Sequence, residues 1–242
     1  MTRSRRQPSN PPNLPTLADR LTAETSRHGL DRRLILPPAA LAVLLIGLGD
    51  EQSVALERIA AHARPSQIVR EALAATTEEF GYLHGALDPL TRLLSFETGD
   101  QVDRALAAIL LLLADADLPT LAEHPLVAGD LLGPLYTAVM APSDRAARGA
   151  FYTPPALAQL LAAMTALPNP GETVSDPCCG TAGLILAMIR AMRAAGRAPE
   201  LVHWILQDLD GLALALAGVQ LAAHGMPRVT LTLGNTLAQA AS

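Results

Sequence analysis

The chain has 242 residues, 50% of them apolar, and a formal charge of −5; all 18 of its basic residues are arginine. That is enough apolar length for one or two packed domains, and its acidic balance supplies no general field to draw in nucleic acid. The two cysteines, Cys178 and Cys179, are adjacent, which excludes an internal disulfide framework and offers no metal-ligand spacing, so a reducing, cytoplasmic setting without a metal is expected.

Residues 1–13 are rich in Pro, Ser, Asn and Arg and bury too little apolar surface to offset ordering entropy, so a disordered leader is expected; it carries the local basic surplus of Arg3, Arg5 and Arg6. From 14 to 141 the pattern is helical. Apolar positions recur at steps of three and four in 54–63, 68–75, 102–113 and 131–139, and Arg64-Pro65, Asp88-Pro89, Thr98-Gly99 and His124-Pro125 read as breaks between helices. Five to seven helices are predicted. The apolar runs 34–48 and 105–114 are too short to span a bilayer; Pro37 and Pro38 interrupt the first, and charged residues flank the second, so both read as buried helices.

Residues 142–149 form a polar, arginine-bearing linker, and beyond it the pattern changes to helices alternating with short β-branched runs, the signature of a parallel sheet. Thr153 is a candidate N-cap, with Pro154 and Pro155 in the first turn of a helix over 156–167. Strands are predicted at 173–175, 202–206 and 229–233. A helix over 184–195 separates the first two, and a second, capped by Asp210 and ended by Gly225, separates the last two.

Three motifs carry chemistry. Thr173-Val-Ser-Asp-Pro-Cys-Cys-Gly-Thr-Ala-Gly183 is a strand feeding an acidic, glycine-bearing turn that opens a helix, a form suited to a nucleotide-type cofactor. Upstream stands Gly149-Ala-Phe-Tyr-Thr-Pro-Pro155, and downstream Trp204-Ile-Leu-Gln-Asp-Leu-Asp210, a strand ending in carboxylates. Singly, each has a plain structural reading as a strand-exit turn, a helix cap or a packed aromatic; their order is what argues for a site.

In that order the motifs resemble the S-adenosylmethionine (SAM) site of adenine-N6 DNA methyltransferases, in particular the modification subunits of type I restriction systems. The resemblance runs from Asp130-Leu-Leu-Gly-Pro-Leu-Tyr136 to Leu237. It implies an α/β fold: a truncated Rossmann-like SAM-dependent methyltransferase domain at 150–242, preceded by an all-α N-terminal domain at 14–141. SAM carries an ammonium group, a ribose and an adenine, so a binder needs carboxylates at two places and bare backbone at a third. Carried over by position, Ala150, Phe151, Tyr152, Thr153 and Pro154 would close on the methionine part, Asp176 would accept from its ammonium, and Gly180, Thr181, Ala182 and Gly183 would let it approach. Asp208 would accept from the ribose hydroxyls, and Asn235 would face the adenine.

The chain departs from the family pattern in three ways. Ala182 and Asn235 stand where glycine and aspartate are usual, the first tolerable where the backbone angle is ordinary. The sequence also ends at Ser242, before any Asn-Pro-Pro-aromatic motif that would orient a target adenine; Asn10-Pro11-Pro12 lies in the leader without a preceding strand and is read as coincidence. No catalytic residue is therefore assigned. The expectation is a SAM-binding, DNA-methylase-like protein, weak on DNA alone, whose first strand is an apolar sheet edge that the helical N-terminal domain covers, that a protein partner completes, or that marks a degenerate remnant. The rival expectations are a non-catalytic SAM-binding or interaction protein, and methylation of something other than DNA.

Overall fold

The computed structural model describes residues 14–49, 51–96, 98–124, 127, 129–140 and 152–239. The leader 1–13, the linker 142–149, and Ala150 and Phe151 lie outside the described residues. Eight described helices precede the linker: α1 (Leu14–Arg27), α2 (Leu36–Gly47), α3 (Gln52–Ala60), α4 (Pro65–Glu79), α5 (Asp88–Phe96), α6 (Asp100–Asp115), α7 (Leu118–Glu123) and α8 (Leu132–Val139). The count exceeds the predicted five to seven, and Arg64-Pro65 and Asp88-Pro89 do separate helices as read, each opening the one that follows. Pro65 opens α4, Asp88-Pro89 opens α5, and Pro119 sits in the first turn of α7, where a missing N–H costs no intrahelical bond. Pro37 and Pro38 likewise lie in the first turn of α2 and do not interrupt it.

Helix α2 is buried from Leu36 to Leu44, as expected for a run that is apolar on every face. Its twelve residues reach about 18 Å, short of the roughly 30 Å of a bilayer core. Among the described residues no helix is long and apolar enough to cross a membrane.

After the linker come α9 (Pro155–Met164), β1 (Thr173–Asp176), α10 (Gly183–Ala194), β2 (His203–Asp208), α11 (Gly211–Ala223), β3 (Val229–Leu233) and α12 (Thr236–Gln239). The three strands form a parallel sheet in the order β1-β2-β3, with Val174 opposite Trp204 and Trp204 opposite Val229. Parallel neighbours need crossovers, which α10 and α11 supply. Asp210 caps α11 as the sequence suggests, accepting from the amides of Leu212 (2.9 Å) and Ala213 (3.3 Å), and Gly225 follows the helix at φ 70°.

Two expectations are corrected. Thr153 does not cap α9: the helix begins at Pro155, and Pro154, held at ψ 143° by the proline that follows it, takes the cap position without a side-chain bond. Among the described strands β1 is an edge, as is β3, but the β1 edge is not apolar, since Thr173 and Ser175 are exposed and Val174 is half-buried.

The core forms two apolar clusters that meet at α11. One gathers the helices α1 to α8 with the outer face of α11; the other gathers α9, α10, the sheet and the inner face of α11. Because α11 is covered on both sides, every residue from Ala213 to Ala222 is buried, and its alternating Ala and Leu let neighbours approach closely. At Gly218 an added Cβ would come within 2.7 Å of Leu231 and 2.8 Å of Leu83. Trp204, fully buried in β2, satisfies its indole N–H by donating to the Pro199 carbonyl at 3.1 Å.

Candidate functional site: an acidic cavity on the glycine turn

The turn from β1 into α10 is braced from β2. The Asp208 carboxylate accepts from the Gly180 amide at 2.7 Å and, with its other oxygen, from the Asp210 amide at 2.8 Å. The Cys179 amide donates to the Gln207 carbonyl at 3.0 Å, and Asp176 folds back to accept from the Cys178 amide at 3.1 Å. Burial raises the Asp176 carboxyl above the usual aspartate range, and the Asp208 charge raises it further. The Cys179 thiol is also pushed up, chiefly by burial and then by both carboxylates, so it is a packed thiol and not a nucleophile.

Two turn residues hold left-handed backbone, Gly180 at φ 53° and Ala182 at φ 71°. The angle at Ala182 is thus not ordinary, which corrects the premise on which the alanine was tolerable. It is the one described non-glycine residue in the left-handed region, a conformation costing roughly 1–2 kcal/mol in an L-residue. Full burial and two backbone bonds, Ala182 N–H to the Cys179 carbonyl (2.8 Å) and Leu186 N–H to the Ala182 carbonyl (2.9 Å), hold it there.

Above this turn lies a cavity of about 520 Å3, within the size range of small-molecule sites. One wall is the predicted motif set: Tyr152, Thr153 and Pro154 on the approach to α9, and Asp176, Gly180, Thr181 and Gly183 on the turn. The opposite wall comes from the helical region, with Asp19 on α1, Asp130 before α8, and Gly133 and Thr137 on α8. Tyr152 stands edge-on to Tyr136, with ring centroids 5.6 Å apart, and an added Cβ on Gly180 would meet its ring at 3.4 Å. The Tyr136 hydroxyl donates to Asp210 at 2.5 Å, tying α8 to the cap of α11.

Three predicted residues do not line the cavity. Ala182 is buried behind the turn, Asp208 braces the turn from β2, and Asn235 is exposed at the start of α12, its side chain accepting from the Leu237 amide at 3.0 Å. The Thr236 hydroxyl donates to the Pro177 carbonyl at 2.8 Å, so the ends of β3 and β1 are joined beside the site.

Sequence reasoning missed two residues of this region. Asp130 is half-buried at the cavity wall and accepts from the Gly133 amide at 2.7 Å; burial lifts its carboxyl to about 6. An aspartate three residues before the amide it caps, ahead of an apolar run, is a helix-start signal that pointed to it. Gln220 is fully buried in α11, donating to the Thr181 carbonyl (2.6 Å) and accepting from the Leu132 amide (3.3 Å), so it links the turn to α8. A lone amide on a helix otherwise apolar all round was its signal. Replacing Gln220 by leucine leaves both backbone groups unsatisfied, and a loss of about 2–4 kcal/mol in urea denaturation is expected.

Among the described residues no group of His, Cys, Asp and Glu is arranged to hold a metal ion. Compared with known proteins, residues 127–242 match the model of a family described as N-6 DNA Methylase. No curated protein is significantly similar to the chain. Among solved structures it is similar to the methyltransferase subunit of the type I restriction-modification system of Streptococcus thermophilus, at 19% identity and TM-score 0.47, over 93% of this chain and 57% of that one. It is also similar to a protein of Vibrio vulnificus YJ016 described as a modification subunit of a type I restriction enzyme, at 16% identity and TM-score 0.46, over 96% and 58%. The chain thus spans under two thirds of either subunit's length. The match to the N-6 DNA methylase family thus covers residues 127–242, a little under half of the chain.

Proposed function

We propose that this chain is the SAM-binding part of a DNA adenine-N6 methyltransferase, with a Rossmann-like domain at 150–242 behind an all-α domain at 14–141, acting in the cytoplasm. The observation that carries the reading is the cavity at the carboxyl end of β1, built on the glycine turn of the family-matched segment, where parallel α/β sheets bind their ligands. Its chemistry suits the cofactor: the described lining holds the carboxylates of Asp19, Asp130 and Asp176 and no cationic side chain, and SAM presents an ammonium and a sulfonium.

In this reading Asp176 accepts from the ammonium, and the bare backbone from Gly180 to Gly183 lies against the methionine chain. Tyr152 walls that end, with Thr153 and Pro154 beside it, and Ala150 and Phe151 are assigned to the same part by the sequence resemblance alone. The adenosine part then lies outside the cavity, across the carboxyl ends of β2 and β3, where each Asp208 oxygen keeps a further lone pair for a ribose hydroxyl and Asn235 hydrogen-bonds the adenine. When bound, SAM supplies an electrophilic methyl group. The chain's own residues orient it and, through the walls of α1 and α8, exclude water.

Orientation of a target adenine falls to a segment outside the described residues, on this or another polypeptide, that pairs with the free edge of β1. The outer stripe of α9 supports such a neighbour, since Leu157, Leu160, Leu161 and Met164 recur at helical spacing and are 40–76% exposed. The same stripe favours a second reading, a SAM-binding interaction protein without catalysis. Transfer of labelled methyl groups to adenine in DNA, by the chain with a polypeptide bearing an Asn-Pro-Pro-aromatic motif, separates the two.

Calorimetric titration of SAM tests the cofactor reading. Micromolar binding is expected, and Asp176→Asn weakens it about tenfold through loss of a charged hydrogen bond. A folded chain that takes up no SAM overturns the proposal.

A further inference from the structure

The cavity wall that the helical region supplies is chemically different from the glycine turn. At its centre stands a carboxylate, Asp130, in a place where both backbones have been cleared for it. An added Cβ on Gly133 would lie 2.3 Å from one Asp130 oxygen, and one on Gly183 would lie 2.9 Å from the same atom. The helix-start amide of Gly133 donates to Asp130 at 2.7 Å, and the Gln220 side chain adds a hydrogen bond. Both donors are neutral, and the carboxylates among the other described lining residues, Asp19 and Asp176, add no positive charge.

We propose that Asp130 is a specificity-determining residue of the cavity, accepting the positive charge of the bound cofactor from the wall that the helical region supplies beside Gly183, so that the helical region reads the ligand's charge. The inference rests on the SAM reading for the ligand's identity. Its physical basis is balance. A half-buried carboxylate with two neutral donors is costly to ionise, and no described lining residue supplies a cation. The charged groups on the packed elements are directed elsewhere: Arg190 on α10 donates to the Ala122 carbonyl, and Arg193 donates to the His224 carbonyl. Facing the cavity with Asp130 are Asp19 from α1 and Asp176, Cys178 and Cys179 from the turn, together with Tyr152. An entering ammonium is therefore the missing partner.

The sign of the pH dependence follows. The empty site holds the Asp130 proton up to about pH 6, above the ordinary aspartate value of 3.8. A cation favours the ionised form and expels that proton, so SAM affinity rises between about pH 5 and 7 and levels above that. Stability of the empty protein runs the other way. The ionisation penalty is absent below the unfolded value and complete above the folded one, so Asp130 makes the empty chain less stable as pH rises through that window.

The test compares wild type with Asp130→Asn, which keeps an oxygen for the Gly133 amide, using two probes: SAM, and 5′-methylthioadenosine, a related nucleoside thioether without either positive charge. The expected result is SAM binding weakened about tenfold, methylthioadenosine binding unchanged, the pH slope of SAM binding lost, and a melting temperature at neutral pH no lower than that of wild type. Equal weakening of both probes, or a pH slope that survives in the variant, overturns the inference by making Asp130 a structural residue. Unchanged SAM affinity in the variant overturns it while leaving the cofactor reading intact. Failure of wild type to bind SAM is instead the failure of that reading.

Discussion

Replacing Asp208 by alanine is expected to abolish measurable SAM binding and to lower stability by about 3 kcal/mol. The residue does more than end a strand, because its two oxygens hold the amides of Gly180 and Asp210 at 2.7 and 2.8 Å. Hydrogen bonds to a charged acceptor contribute roughly 1.5–3 kcal/mol each, and the half-buried position of Asp208 favours the lower end of that range. Once Gly180 is released, the turn loses the hold that keeps its backbone against the cavity, and α11 loses the residue that positions its cap. Removing the Asp208 charge also takes away one cause of the raised Asp176 carboxyl and Cys179 thiol, so both titrate lower in the variant. Urea denaturation and SAM calorimetry on the same preparation check this. Stability equal to the parent would mean that the turn holds its shape without β2.

The second large effect is expected far from the cavity, at Gly47. Here the end of α2 crosses the end of α11 so closely that an added Cβ would lie 2.3 Å from the Ala223 carbonyl oxygen and 2.4 Å from its Cα. Backbone cannot yield as a side chain can, so Gly47→Val forces the two helices apart along the interface that joins the helical region to the sheet. Overpacking of this kind costs about 3 kcal/mol, or roughly 6–12 °C in melting temperature for a chain of this size. Gly49→Ala, two residues on, is the control. Its added Cβ meets nothing within 4 Å, but the residue sits at φ 76°, so only the strain of about 1 kcal/mol is expected. Thermal unfolding of the pair separates close approach from backbone strain, and equal losses would sink the argument.

Much of the second half of the chain was legible from residue order. Local signals there agree with one another: β-branched runs for the strands, Asp210 for the cap of α11 and Gly225 for its end, and the acidic glycine turn for the candidate site. Each depends on neighbours within a few residues, which is why β3 and the start of α11 fall where the pattern places them. The first half was less legible, because Asp88-Pro89 and the prolines of α2 and α7 both end and begin helices, and periodicity alone does not say which.

Tertiary structure decided the rest. That Asp208 braces Gly180 across 28 residues, that Ala182 is forced into left-handed backbone, and that β1 exposes a polar edge all follow from pairings remote in sequence. So does the far wall of the cavity, where Asp19 and Asp130 come to face Asp176 only because α11 packs the helical region and the sheet on its two sides. The motifs of this chain lie in local sequence, which specifies turns and caps through short-range hydrogen bonds. Enclosure of the cavity, and the charge it presents to a ligand, arise from apolar burial around one helix, which acts between segments that sequence order keeps apart.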